Sequence, residues 1–249
     1  MSDIYQAPSS QLTQSAATDY GSLERGIAGD YEFTIGDTLS EAWSKVSGKK
    51  LTVFLAALLY FIFLMVITFP LQFALGALGY LSEGVPTSTG VAASFVVQLI
   101  VMALTLPLAA GFMMMGIKGS VDEPISPGMI FQYYGKTLPL LVTNLLMMFL
   151  CLIGYLLLIL PGLYLTFAYV LAIPLVVDRG LGPWQALETS RKAVTKRWFS
   201  VFFLMIILGV LMVLAVIPLG IGMIWVGPLM MLSLGILYRN VFGVESVSK

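Results

Sequence analysis

Histidine is missing from this chain of 249 residues, and cysteine occurs once, at Cys151. Without imidazole the commonest general acid–base group and metal ligand is gone. A single thiol closes no disulfide within the chain, and in an apolar run it reads as a small apolar side chain. Charge is scarce as well: 10% of residues are Asp, Glu, Lys or Arg, where a soluble domain carries roughly a quarter. No Walker-type loop and no G-x-G-x-x-G fingerprint is present. No two glycines stand four apart, so the G-x-x-x-G helix-dimer pattern is absent too. The one adjacent acidic pair, Asp122-Glu123, sits in the turn "KGSVDEPISPG", where two acids read as solvated side chains, not as a metal site. Hydrolytic, group-transfer and redox chemistry all need clustered nucleophiles, acids or ligands. The expectation is therefore no catalytic residue, no metal, no cofactor and no nucleic-acid partner.

What is abundant is hydrocarbon. Hydrophobic residues make up 59% of the chain and mean hydropathy is +0.95. Four windows, 51–82, 91–117, 137–177 and 198–238, contain no Asp, Glu, Lys or Arg. A bilayer core about 30 Å thick takes roughly 20 helical residues, so the last two windows are too long for one helix each. Each has a break near its middle, at Pro161-Gly162 and at Pro218-Leu219-Gly220. Six spans follow, near 51–69, 91–117, 137–159, 163–177, 198–217 and 221–238. The predicted fold class is all-α, a polytopic transmembrane helix bundle.

Charge placement predicts an orientation. The connections near 70–90, 160–162 and 218–220 hold none of the thirteen Lys and Arg residues. All of them fall before the first span, in 118–136, in 178–197, or at the C-terminal end. By the positive-inside rule those segments face the cytoplasm, with both termini inside. Residues 1–33 begin polar, with no secretory-signal core, and read as a flexible cytoplasmic tail. Residues 34–242 form the transmembrane domain and 243–249 a cytoplasmic end.

A pattern recurs before the spans. In "FTIGDTLSEAWSKVSGKK" the residues Ile35, Leu39, Ala42, Trp43 and Val46 share one helical face. In "GPWQALETSRKAVTKRW" Trp184, Leu187, Val194 and Trp198 do so. Superposing the two places Glu41 on Glu188, Lys45 on Lys192, Lys49 on Lys196 and Lys50 on Arg197. "SPGMIFQYYGK" is a degenerate third copy, and Pro70, Pro161 and Pro218 each arrive about one membrane thickness later. Three tandem units are expected, each an interfacial amphipathic helix followed by a hairpin, with a Pro at the outer end of its first span. In the third unit the Trp184/Leu187/Val194 stripe is expected in the acyl boundary. Arg191, Lys192, Lys196 and Arg197 would sit at headgroup level, with Lys49 and Lys50 in the matching positions of the first unit. These residues are the candidate contacts for anionic lipid or for an acidic membrane-protein partner. Inside the spans the polar candidates are Gln98, Thr105, Asn144, Thr143 and Thr166, with Gln72 at the outer rim. They either hydrogen-bond between helices or line a path for a neutral or amphipathic solute. Pro107 and Pro174, within the second and fourth spans, would each break a backbone hydrogen bond, which membrane helices tolerate. The fourteen Met residues read as lipid-facing or packing side chains.

The stretch "LPGLYLTFAYVLAIPLVVDRGLGPWQALETSRKAVTKRW" carries a pattern: Pro161-Gly162, then Pro174, then Ala186-Leu187, Ser190 and Trp198. It resembles a group of bacterial six-helix inner-membrane proteins that includes the YciC-like family and the membrane domain attached to some glycerophosphodiester phosphodiesterases. The opening Tyr5 to Pro8, "YQAP", is similar to the Asn-Pro-Tyr-x-Ala-Pro start of many such proteins, with Asp3-Ile4 in place of Asn-Pro. The resemblance is clear over about 40 residues, extends as hydropathy over 35–242, and implies a bacterial inner-membrane location. It brings no catalytic residues. Two function classes remain open: a non-enzymatic membrane protein acting through lipid or a membrane partner, and a small transporter or channel.

Overall fold

The computed structural model describes residues 20–82 and 85–245. Six helical stretches are long and apolar enough to cross a membrane, and the chain is an all-α helix bundle. The helices are α1 (Leu23–Ala28), α2 (Ile35–Ala77), α3 (Val91–Ser120), α4 (Thr137–Leu157), α5 (Ile159–Ala168), α6 (Ala172–Asp178), α7 (Pro183–Lys196), α8 (Trp198–Val216) and α9 (Met223–Phe242). Two short 3-10 turns, Pro127–Phe131 and Tyr134–Lys136, lead into α4. Between α2 and α3 a two-residue antiparallel ladder pairs Leu81 with Pro86 and Ser82 with Val85.

Hydrophobicity separates the most enclosed helix from the more exposed ones. α8, the most hydrophobic span, leaves most of its surface exposed, while α9, the least hydrophobic, is the most enclosed. A lipid-facing helix must be hydrocarbon throughout. An enclosed one can carry glycine, serine and even a cation, provided its neighbours satisfy them. α9 is packed against α2 and α3 along its length, and its crossing with α3 is set by glycine. A Cβ added at Gly235 would lie 2.1 Å from the Gly116 carbonyl oxygen, and one at Gly116 2.3 Å from that of Met231. The two backbones touch because no side chain separates them.

Several expected boundaries move. α2 runs unbroken from the amphipathic segment through Pro70 to Ala77, so the first unit has no separate interfacial helix and Pro70 does not end its span. Pro107 likewise sits inside a continuous α3. A membrane helix tolerates the missing N–H where neighbouring groups and local adjustments take up the freed carbonyl. The third unit keeps its separate helix: α7 ends at Arg197, whose φ of −132° and ψ of 35° break the path into α8. In the second unit 3-10 turns take the place of an amphipathic helix. The turn between α4 and α5 is the single extended residue Leu158, and Pro161-Gly162 belongs to the first turn of α5, where the N–H that proline lacks would have no intrahelical acceptor. Gly154 and Gly162 face each other across that hairpin: a Cβ at Gly154 would lie 2.9 Å from the Gly162 Cα.

Pro174 does interrupt its span. It has no N–H to offer the Val170 carbonyl, and the helix opens over 169–171, between α5 and α6. Ser190 of α7 bridges the gap. Its hydroxyl donates to the Ala168 carbonyl at 2.7 Å and accepts from the Leu171 N–H at 3.2 Å. Two backbone groups left open in the 169–171 gap region, the Ala168 carbonyl and the Leu171 N–H, are thus met by a buried side chain from the next helix.

The expected tail also shortens. Residues 1–19 lie outside the described residues, but 20–33 are folded onto the bundle. Ser22 caps α1 by accepting from the Arg25 N–H. Tyr31 and Phe33 are buried in the core, and the Tyr31 hydroxyl donates to the Ala193 carbonyl at 3.0 Å. Burial pushes that phenol up to about 12. Two aromatic side chains within three residues supply the apolar area that anchors the segment.

Candidate functional site

Two features stand next to each other along α2: an ion-pair network around a buried arginine, and an apolar cavity one helical turn beyond it. The network is centred on Arg239 of α9, which is 6% exposed. Its guanidinium forms a fork on Glu41 of α2, at 2.6 and 2.8 Å, and donates to the Ser120 carbonyl at the end of α3 at 2.8 Å. Two further donations reach the Asn240 side-chain oxygen, and Tyr20 stacks on the guanidinium plane at 4.6 Å. One side chain therefore ties three helices together. Lys45 lies 3.8 Å from Glu41 and also pairs with Asp122, to which Lys49 donates at 3.0 Å. The Lys45 ammonium, assisted by Lys49, holds the Asp122 carboxyl below its ordinary value. Asp122 thus closes the α3 end over α2, and its neighbour Glu123 lies 3.8 Å from Lys118. The adjacent acids are each taken up by a lysine.

On α7 the candidate contact residues divide. Glu188 takes Arg191 in a two-pronged bond at 2.8 and 2.9 Å, and Lys192 at 3.4 Å. Arg191 above all keeps the Glu188 carboxyl below its usual range. Lys196 lays its stem over Gly29, where a Cβ would meet it at 2.7 Å. Arg197 occupies the break before α8. Neither Lys196 nor Arg197 forms an ion pair among the described residues. The expected apolar stripe does not stay together: Trp184 is 61% exposed, whereas Leu187 and Val194 are each 1% exposed. Leu187 packs with Tyr169 and Ala172 against α4, and Val194 belongs to the main core. Leu187 and Val194 are therefore packed inside protein and not in the acyl boundary. Amphipathic spacing identifies an apolar face, and here protein covers it.

The intramembrane polar residues stay apart from each other. Thr105 donates to the carbonyl of Val101 in its own helix, 2.8 Å away. Asn144 of α4 points its amide at the sulfurs of Met102 and Met148, at 3.2 and 3.5 Å. Gln98 is exposed on α3. Gln98, Met102 and Thr105 share one face of α3 by their spacing, so Asn144 meets that face, yet none of the three lines the cavity.

The cavity measures about 560 Å³ and lies between α2, α3, α8 and α9, within the 300–1,000 Å³ typical of ligand pockets, roughly speaking. One wall is the α2 stripe Val53, Phe54, Ala57, Leu58 and Phe61; Gly220, Gly227 and Pro228 open the wall opposite. Five methionines line it: Met113, Met212, Met223, Met230 and Met231. No lining side chain is ionisable. Unbranched thioethers adapt to guests of varied shape, so this space suits a flexible hydrocarbon. The sequence does not reveal it, because an apolar stripe on a membrane helix looks the same whether it meets lipid, protein or a void. The one available signal was the clustering of Gly220, Gly222 and Gly227 with Met223, Met230 and Met231.

Lys50 stands at the charged end of that α2 stripe. Its ammonium lies 5.9 Å from the centre of the Trp225 ring, beside the lining residue Ile224, and it has no ion pair among the described residues. Among those residues, no three His, Cys, Asp or Glu side chains gather as a metal site requires.

No family model, no curated protein and no solved structure matches this chain.

Proposed function

We propose that this chain is a non-enzymatic protein of the bacterial inner membrane that acts by binding lipid, with the α2/α3/α8/α9 cavity as the binding site. The cavity carries the reading: about 560 Å³ of space, lined by hydrocarbon and thioether side chains within the membrane-spanning part of the bundle. The only molecules that reach such a space in quantity are those dissolved in the bilayer. The bacterial location rests on the resemblance of the segment around Pro161-Gly162, Pro174 and Ser190. The absence of a catalytic role rests on the residue types, above all on a chain without histidine.

Filling the cavity tests the reading. A Cβ at Gly227 meets nothing within 4 Å, so leucine there extends into open space. In Gly227→Leu, and in Ala57→Leu from the facing wall, lipid retained through gentle purification should fall at least severalfold by native mass spectrometry. Retention equal to that of the parent chain in both variants, each still monodisperse, refutes the cavity as the site.

The orientation we propose puts both termini and the network around Arg239 in the cytoplasm, from the one-sided Lys and Arg distribution. A reporter active only outside the cytoplasm should be silent after Lys249 and within 183–190, and active when inserted at Ser88. Activity from the C-terminal fusion would invert the assignment.

A further inference from the structure

We infer that the lipid held in this cavity is a glycerophospholipid with an anionic headgroup, its phosphate on Lys50 and one acyl chain along the α2 stripe. The inference rests on the proposed lipid-binding function and adds the lipid class and its direction. Most of the cations around Lys50 are already paired. Lys45 and Lys49 share Asp122, Arg239 is held by Glu41, and Lys118 lies beside Glu123. Lys50 alone among these keeps a charge without a protein counter-charge among the described residues, and it is exposed.

Its position gives the direction. Lys50 precedes Val53 and Phe54 by three and four residues, and Ala57, Leu58 and Phe61 continue the same face. Among the described residues, an amphiphile lying along this stripe would thus have the Lys50 ammonium at one end and apolar lining beyond it. From Val53 to Phe61 the helix rises about 12 Å, most of the ~15 Å that one leaflet of a bilayer core provides. The chain length required is that of a lipid standing in the leaflet nearest the charged end. One unneutralised lysine favours a net negative headgroup over a zwitterionic one, whose own cation it repels.

The test uses the full chain reconstituted in nanodiscs of equal parts phosphatidylcholine and phosphatidylglycerol, then released gently into native mass spectrometry. Phosphatidylglycerol should be enriched about fivefold in the retained lipid, the factor that one basic side chain contributes near an anionic surface. In Lys50→Gln the enrichment should vanish while total retention persists. In Lys118→Gln, a cation already beside Glu123 and outside the cavity lining, it should remain. Equal retention of the two lipids by the parent chain, enrichment that survives Lys50→Gln, or a fatty acid as the retained species would each overturn the headgroup assignment and leave the cavity reading standing. Undiminished retention in both cavity-filling variants would remove the reading beneath it.

Discussion

Arg239→Met should destabilise the folded protein by about 3 kcal/mol, the lower end of the cost of breaking a buried ion pair from one side. The substitution removes the guanidinium and leaves three groups behind it: the Glu41 carboxylate, the Ser120 carbonyl and the Asn240 side-chain oxygen. The Glu41 side chain is 35% exposed, so water and Lys45 recover part of the loss, which is why the lower end applies. For a chain of this size the thermal midpoint in detergent should drop by roughly 6–12 °C. The double variant Glu41→Leu/Arg239→Met should recover much of that loss, because an apolar pair of similar volume leaves no carboxylate unpaired. If Arg239→Met melts with the parent chain, the three-helix clamp at the end of α9 is not a stabilising element. If the double variant is no better than the single one, the penalty comes from packing, not charge.

Gly235→Leu should be more damaging still. Its Cβ would stand 2.1 Å from the Gly116 carbonyl oxygen and 2.3 Å from the carbonyl carbon. The obstruction is backbone, which no rotamer change can move. Overpacking a core costs about 1–3 kcal/mol when side chains can give way; here α3 and α9 must separate along the most enclosed contact in the bundle. We expect loss of the monodisperse species on size-exclusion chromatography and steady-state amounts well below the parent's. Gly209→Leu on α8 adds the same mass where a Cβ has nothing within 4 Å, and should be tolerated. Equal behaviour of the two variants would mean that close α3–α9 approach is not what the glycines provide.

Both predictions concern α9, which the amino-acid pattern marked only as the last of six apolar runs. That it is a run at all is a local property. Hydrocarbon cannot hydrogen-bond backbone groups, so a spanning segment must be helical and apolar over about 20 residues, and that is legible residue by residue. Arg239 was likewise legible as a cation at the end of a span. That it is buried was not, because its partner Glu41 lies 198 residues away, and no local spacing encodes such a pairing. Glu41 stood out only as the counterpart of Glu188, and the resemblance is real at that level: each carboxylate holds a lysine four residues on, at 3.8 and 3.4 Å. The two copies then diverge, one helix running on through Lys50 and the other breaking at Arg197.

The α7 stripe marks the same boundary. Spacing placed Leu187 and Val194 on one apolar face, and they are on one face. In a soluble protein an apolar face faces the core, but a membrane chain has two apolar surroundings, protein and lipid, which hydropathy cannot tell apart. The segment 20–33 and the α4 wall decide that these two residues meet protein while Trp184 stays exposed. Composition and charge placement alone determined the class of the chain, the number of spans and their expected orientation, because each is a sum over neighbouring residues. The buried clamp, the glycine crossing, the serine that closes the Pro174 gap and the cavity beside Lys50 were decided by tertiary structure, because each arises where surfaces far apart in the chain meet.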